Sequence, residues 1–240
     1  MAPISAKSGA SAATGTDPAD AGDRARLAVK LCGLSRPDHV TAALTAGADW
    51  LGFVIFPRSP RHVAPEALTA LAAPASGRAR RVAVLVNPDD ALLDQVAPAV
   101  DALQLHGGET PSRTDAVRRR TGLEVWKSLP IAGAEDLDRV APYEGMVDRL
   151  LFDAKPPAGA DLPGGNGVAF QASLLNNARI PHPWILSGGL DAEGLADAVG
   201  QSNAQAVDVS SGIETAPGRK SAARMIAFMA AARTLECSNQ

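Results

Sequence analysis

Eight short apolar runs, separated by stretches of helical character, constrain this chain more than any other feature. They lie at 27–32, 50–56, 81–86, 102–105, 123–128, 149–153, 184–186 and 206–209. Most are nearly continuous in hydrophobicity and rich in β-branched residues, the pattern of strands buried on both faces. Helix signals fill the intervals. Ser35 serves as a cap ahead of Pro37 and Gly47 closes the first helix; Asn87 caps the third, with Asp89 and Asp90 in its first turn. Thr110-Pro111 opens the fourth and Gly122 stops it, Asp191 opens the seventh, and 220–234 form the eighth. Connections of this length cannot be hairpins, so the strands pair in parallel through right-handed crossovers. Eight such units in 240 residues predict a single (β/α)8 TIM barrel, a fold of about 250 residues. A doubly wound open sheet normally has fewer strands, and the G-x-G-x-x-G fingerprint does not follow the first run. The barrel is assigned to 27–236. Residues 1–26, rich in Ala, Ser, Gly, Thr and Asp, are read as a disordered extension.

Composition narrows the partners. With 23 basic and 26 acidic residues the net charge is −3, and the charges are interspersed, which gives no basic patch for nucleic acid. Aromatics at 4% are too few for single-strand stacking platforms. No apolar run reaches the length of a membrane span, and the first 26 residues lack the apolar stretch of a signal peptide. The two cysteines, Cys32 and Cys237, read as reduced thiols of a cytoplasmic protein, and the four histidines are too scattered for a metal site. The expectation is an enzyme with no metal, cofactor, membrane or nucleic-acid partner, acting on a small molecule. Oligomeric state is open.

In a barrel the reactive groups gather at the C-terminal ends of the strands. Those ends bring Cys32, the loop from Phe56 to Arg61, Asn87, His106, Lys127, Asp153, Ser187-Gly188-Gly189 and Asp208 to Gly212 to one mouth. Cys32 and Asp153 can both move protons, and a carboxylate after Leu-Leu-Phe must face the mouth or be paired. Glycine lets backbone N–H groups turn toward an anion at close range. Gly164-Gly165-Asn166-Gly167, Ser187-Gly188-Gly189 and Ser210-Ser211-Gly212 are three such clusters, in the last three loops of the barrel. Loops 7 and 8, with a short helical turn such as Ile213-Glu214-Thr215, form the recurrent phosphate site of this fold. Arg58 and Arg61 can clamp a carboxylate. His106 reads as cavity wall, and Lys127 as a salt-bridge partner rather than a Schiff-base lysine. One acid, one base and a phosphate cradle point to a cofactor-free isomerase of a sugar phosphate.

Together these strings resemble the phosphoribosylanthranilate isomerase family. The resemblance runs through Val29-Lys30-Leu31-Cys32-Gly33, Gly47-Ala48-Asp49, Gly52-Phe53-Val54, Ser59-Pro60-Arg61, Val82 to Asn87, Gln104-Leu105-His106-Gly107 and Leu150-Leu151-Phe152-Asp153. It continues with Leu186 to Leu190, Val207 to Glu214 and Pro217-Gly218, covering nearly everything from Leu27 to Arg233. Asn166 and Ala172 depart from the family's usual residues beside the phosphate. The resemblance implies a cofactor-free Amadori rearrangement in tryptophan biosynthesis. Asp153 would be the general acid, Cys32 the general base, and Arg61 the partner of the anthranilate carboxylate. Asp208 would bond a sugar hydroxyl, while Gly165, Gly167, Gly188, Gly189, Ser210 and Ser211 would hold the phosphate. The alternatives are a barrel of the histidine-pathway ProFAR isomerase type, which has an aspartate after its first strand and a half-chain repeat not seen here, or a non-catalytic phosphate-binding barrel.

Overall fold

The computed structural model describes residues 26–154, 172–176 and 178–235. Eight parallel strands close into a barrel in sequence order: β1 (Ala28–Cys32), β2 (Trp50–Ile55), β3 (Arg80–Leu85), β4 (Ala102–Leu105), β5 (Glu124–Ile131), β6 (Arg149–Ala154), β7 (Trp184–Leu186) and β8 (Ala206–Val209). The last strand returns to the first, with Ala28 opposite Ala206 and Leu31 opposite Val209.

The strands read as continuous apolar runs because each faces two cores. Outward residues such as Val29, Leu31, Phe53, Leu103 and Phe152 pack under the surrounding helices. Inward, each strand contributes one residue to a separate cluster: Ala28, Trp50, Val82, Ala102, Trp126, Leu151, Ile185 and Ala206. Two tryptophans among small side chains fill the taper, their rings edge to face at 5.7 Å. Burying one such ring is worth about 4–6 kcal/mol of transfer free energy.

Among the described residues the α-helices are α1 (Pro37–Ala46), α2 (Pro65–Ala72), α3 (Asp90–Val96), α4 (Pro111–Thr121), α5 (Leu195–Ser202) and α6 (Ala222–Arg233). Gly47 takes φ 82° at the end of α1 and returns its N–H to the Ala43 and Leu44 carbonyls, as a left-handed cap requires. Thr110 caps α4 through Oγ1, and Gly122 ends it at φ 66°. Three sequence expectations shift. The N-cap of α1 is Arg36 rather than Ser35. Asp89, not Asn87, caps α3, because its carboxylate accepts from Leu92 N–H at 2.8 Å. Asn87 instead adopts φ 47° while Glu109 Oε1 holds its N–H at 2.7 Å. Asp191 lies ahead of α5, where its carboxylate accepts from the Glu193 and Gly194 N–H groups and shapes the entry turn.

The β5–β6 crossover carries 3₁₀ turns at Ala134–Arg139 and Ala141–Tyr143 instead of an α-helix. Gly133 and Pro142 divide that stretch into pieces too short to propagate. The expected helical turn after β8 also differs: Ser211–Ile213 forms it, and Glu214–Ala216 (β9) pairs antiparallel with Arg219–Lys220 (β10).

A carboxylate stands immediately before every even strand up to β6. Asp49, Asp101 and Asp148 accept the N–H of Val29, Arg81 and Val125 in the preceding odd strand, at 2.8, 2.7 and 2.8 Å. These clamps tie neighbouring strands at their N-terminal ends and set the register that decides what reaches the mouth. Residues 1–25, and with them nearly all of the expected extension, lie outside the described residues, as does Cys237.

Candidate active site

Two residues beyond the inner apolar cluster, the same faces of the strands carry Lys30, Gly52, Val84, Gln104, Ser128, Asp153, Ser187 and Asp208. The strand period of two therefore stacks a largely polar layer on an apolar one. Four residues beyond the cluster come Cys32 and His106, at the lip.

Contacts join this layer around the mouth. Lys30 Nζ donates to Asp208 Oδ1 at 2.9 Å, and the other carboxylate oxygen accepts from Ser187 Oγ at 3.3 Å. The next residue, Gly188, has φ 92°; a methyl there would lie 2.9 Å from Asp153 Oδ1 and 2.6 Å from the Ala154 nitrogen. Glycine is required on both counts. Asp153 Oδ1 accepts from Ala154 N–H at 2.9 Å, while Oδ2 stands 3.5 Å from His106 Nε2. His106 Nδ1 in turn meets Gln104 Nε2 at 3.0 Å. Cys32 on β1 and Asp153 on β6 thus face one cavity, linked through β8 and β7.

Burial pushes the Cys32 thiol up, while the Lys30 and Lys220 ammoniums pull it down and Asp208 adds to the rise. Burial works against the charge on Lys30 too, but Asp208 and Cys32 outweigh it and hold the amine above the ordinary lysine value.

The rim on the β1–β2–β8 side is built by interlocked loops. A methyl on Gly218 would lie 2.5 Å from the Pro60 carbonyl oxygen, so the β9–β10 hairpin rests directly on the Ser59-Pro60-Arg61 loop. Consequently Glu214 receives Arg61 Nε and Nη2 at 2.7 Å each, a buried bidentate pair. Lys220 reaches Glu214 at 2.8 Å and donates to the Ser210 carbonyl and hydroxyl at 2.9 and 3.1 Å. Burial lowers Lys220 to about 8, with Glu214 opposing the shift. Burial would raise Glu214, yet Arg61 and Lys220 hold it below the usual carboxylate range. Gly212 comes into backbone contact with the Leu190 carbonyl, which locks loop 8 against loop 7. Gly188 and Gly189, both with left-handed φ, precede Leu190 on one side of this seam, and Ser210 and Ser211 precede Gly212 on the other.

Of the residues singled out in the sequence, Cys32, Asp153 and Asp208 line the mouth, and Gly188, Gly189, Ser210 and Ser211 border it. Arg61 sits at its rim, already engaged by Glu214. Gly165 and Gly167 fall outside the described residues. Lys127 takes the opposite strand parity to Trp126 and Ser128 and donates to the carbonyls of Leu105 and Gly107 and to Glu109 Oε2. It anchors the β4 loop. Arg58 lies exposed on the Arg61 loop. Lys30, Gln104 and Lys220 were not singled out, although Lys30 precedes Cys32 by two on a strand and so had to share its face. No group of three or more His, Cys, Asp or Glu side chains among the described residues could hold a metal ion. No helix among them is long and apolar enough to cross a membrane.

Comparison with known proteins places this arrangement. The family profile described as N-(5'phosphoribosyl)anthranilate (PRA) isomerase matches residues 29–231. An N-(5'-phosphoribosyl)anthranilate isomerase from Rhodospirillum centenum is 51% identical over 210 residues, covering 86% of this chain and 98% of the relative. The Brucella canis protein of the same name is 50% identical over 196 residues, covering 81% and 88%. Among solved structures, the phosphoribosyl anthranilate isomerase from Thermotoga maritima superposes with a TM-score of 0.78 at 30% identity, over 87% of this chain and 100% of that one. A phosphoribosyl anthranilate isomerase in complex with reduced 1-(o-carboxyphenylamino)-1-deoxyribulose 5-phosphate superposes with a TM-score of 0.75 at 29% identity, over 87% and 100%.

Proposed function

The chain belongs to the N-(5'-phosphoribosyl)anthranilate isomerase family, and from that premise we propose that Cys32 and Asp153 carry its acid–base chemistry. It is an enzyme of tryptophan biosynthesis. It converts N-(5'-phosphoribosyl)anthranilate to 1-(2-carboxyphenylamino)-1-deoxyribulose 5-phosphate. The observation that carries the residue assignment is the pair itself: one thiol and one carboxyl group on opposite walls of one mouth, joined through Asp208, Ser187 and Gly188.

In this reading Asp153 protonates the furanose ring oxygen, and the C1–O bond breaks as the anilino nitrogen supplies electrons to form an iminium ion. The Cys32 thiolate then removes the C2 proton. The C2–H electron pair becomes the C1–C2 double bond, the nitrogen regains its lone pair, and the enolamine tautomerises to the ketone. The iminium charge beside the thiol helps both partners, since it acidifies C2–H and favours the thiolate.

The rim supports two binding roles. A guanidinium has five N–H groups, and Glu214 occupies one edge of Arg61, so Nη1 remains for the anthranilate carboxylate. Lys220 offsets the Glu214 charge that such a carboxylate would meet. On the other side Gly188, Gly189, Ser210 and Ser211 offer backbone and hydroxyl donors to the phosphate, with the Lys220 ammonium behind Ser210. We assign Gly165 and Gly167 to the same anion. Asp208, held by Lys30 and Ser187, is assigned to a sugar hydroxyl. The unit we assign to this reaction is 27–236, working in the cytoplasm as a free-thiol enzyme.

The test is loss of phosphoribosylanthranilate fluorescence with freshly prepared substrate. Cys32→Ala and Asp153→Asn should each lower kcat by about 10²–10⁴-fold, the usual weight of one general acid or base. Wild-type turnover in both variants sinks the assignment.

A further inference from the structure

Lys30 has no exposed surface, yet it sits two residues along β1 from the group assigned to abstract a proton. It shares the inner face of β1 with Cys32. Across the ladder Cys32 is opposite Gly52, and a methyl on Gly52 would lie 2.7 Å from Cys32 Sγ and 3.0 Å from Lys30 Nζ. The missing side chain is thus the space that thiol and ammonium share. Lys30 Nζ donates to Asp208 Oδ1 at 2.9 Å, and its positive charge also acts on the Cys32 sulfur across the space that Gly52 leaves open. Among the described residues, the charged groups that act most on Cys32 are Lys30 from its own strand, Asp208 from β8 and Lys220 from β10, and Gly52 faces it from β2.

A purely structural ion pair between β1 and β8 would need no third partner. Here the third partner is the sulfur. We propose that Lys30 is the positioning residue of the base: its ammonium, kept charged by Asp208, faces the Cys32 sulfur across the space left by Gly52 and stabilises the thiolate as it forms at the mouth, while Asp208 moderates how much of that charge the sulfur feels. The inference rests on reading Cys32 as the base. It adds that a Lys–Asp pair beneath the base sets the base's strength. Atoms balance simply. The thiolate takes the C2 proton and becomes the thiol, and Lys30 keeps all its protons throughout.

The measurement is the ionisation of Cys32 in the full chain carrying Cys237→Ser, read as the pH dependence of its alkylation by iodoacetamide. Lys30→Gln should move the midpoint upward and slow alkylation at pH 7 by on the order of tenfold or more. Asp208→Asn should move it downward, and Lys30→Arg should stay near wild type. The rising limb of kcat/KM against pH should follow each midpoint. Loss of packing alone does not produce opposite shifts from the two ends of one ion pair. Should Lys30→Gln fail to accumulate as folded protein, the uncharged pair Lys30→Met with Asp208→Asn replaces it, and its midpoint should lie above wild type. Midpoints that stay at the wild-type value in the lysine and aspartate variants overturn the inference, whatever happens to turnover. The outcome for the function itself is separate: a fully active Cys32→Ala removes the base assignment even if Lys30 proves to govern the thiol.

Discussion

The barrel encloses buried charge at both ends, and the two ends use it differently. At the floor, where the strands begin, Arg80, Glu124 and Arg149 face inward beside the tryptophan pair. Arg149 lies 5.4 and 5.7 Å from the ring centres of Trp50 and Trp126, Trp126 Nε1 donates to Glu124 Oε1 at 2.8 Å, and Arg80 pairs with Glu124. The charges there close on one another, with both arginines on Glu124, and the Trp50 indole N–H is left without a hydrogen-bond partner. At the mouth, Lys30, Asp208, Cys32 and Asp153 are also buried, but the layer ends in a thiol and a carboxyl group that open toward the cavity. The cations differ as well. The floor uses guanidiniums, which stack on rings, whereas the mouth adds to the Arg61 guanidinium at its rim two ammoniums, Lys30 and Lys220, which respond to burial. A buried charge is structural where all its neighbours are spent, and chemical where one face is left for a ligand.

If that division holds, the largest effects should separate cleanly. Cys32→Ala and Asp153→Asn, with their losses of about 10²–10⁴ in kcat, should leave the thermal midpoint near wild type, since neither group completes a floor contact. Calorimetry on the same preparations checks this. A collapse of stability in either variant would erase the distinction between the ends.

Next in size is the reverse experiment. Trp126→Ala removes a fully buried ring that packs on Trp50 and Arg149. It should cost about 3–5 kcal/mol of unfolding free energy, measured by denaturant titration. Enzyme that remains folded should keep kcat within a few-fold. A large fall in kcat at unchanged stability would show that the floor reaches the chemistry.

The fold was legible because burial on both faces of a strand leaves an unbroken apolar run, and the eight runs coincide with the strands to within about three residues. The clamps were not read from the sequence: Asp49, Asp101 and Asp148 each precede a run, but only the structure assigns them a partner. Cys32, Asp153 and Asp208 could be placed at one mouth because strand ends in a barrel share a rim. The partnership of Arg61 with Glu214 could not, since 153 residues separate them and the contact depends on a hairpin folding back over Pro60. The β5–β6 crossover shows a different limit. Its residues 134–143 carry acceptable helix formers, and it is the punctuation by Gly133 and Pro142 that prevails.

Two glycines offer a smaller and sharper contrast. Gly188 and Gly122 both hold left-handed backbones, at φ 92° and 66°. A methyl on Gly122 meets nothing within 4 Å, whereas one on Gly188 meets Asp153 and the Ala154 nitrogen. Gly122→Ala should therefore cost only the backbone term, about 1–2 kcal/mol, with kcat unchanged. Gly188→Ala should carry that same cost and in addition displace the acid, lowering kcat. Equal kcat in the two variants would mean that the position of Asp153 is not held at this seam.

The smallest effect concerns Lys220, where stability and affinity should move in opposite directions with pH. Its folded value is lowered by burial to about 8, against an ordinary 10.5. Between those values the unfolded chain binds more protons than the folded one, so this group makes the protein more stable as pH rises from about 8 toward 10.5. The same deprotonation removes the charge behind Ser210, so KM should rise by about two- to fivefold across pH 8, the scale of one partly screened charge. Lys220→Met should abolish both slopes, leaving KM high and flat. A KM that remains level through pH 8 in the wild type would place Lys220 with the floor arginines, as a charge spent entirely on Glu214.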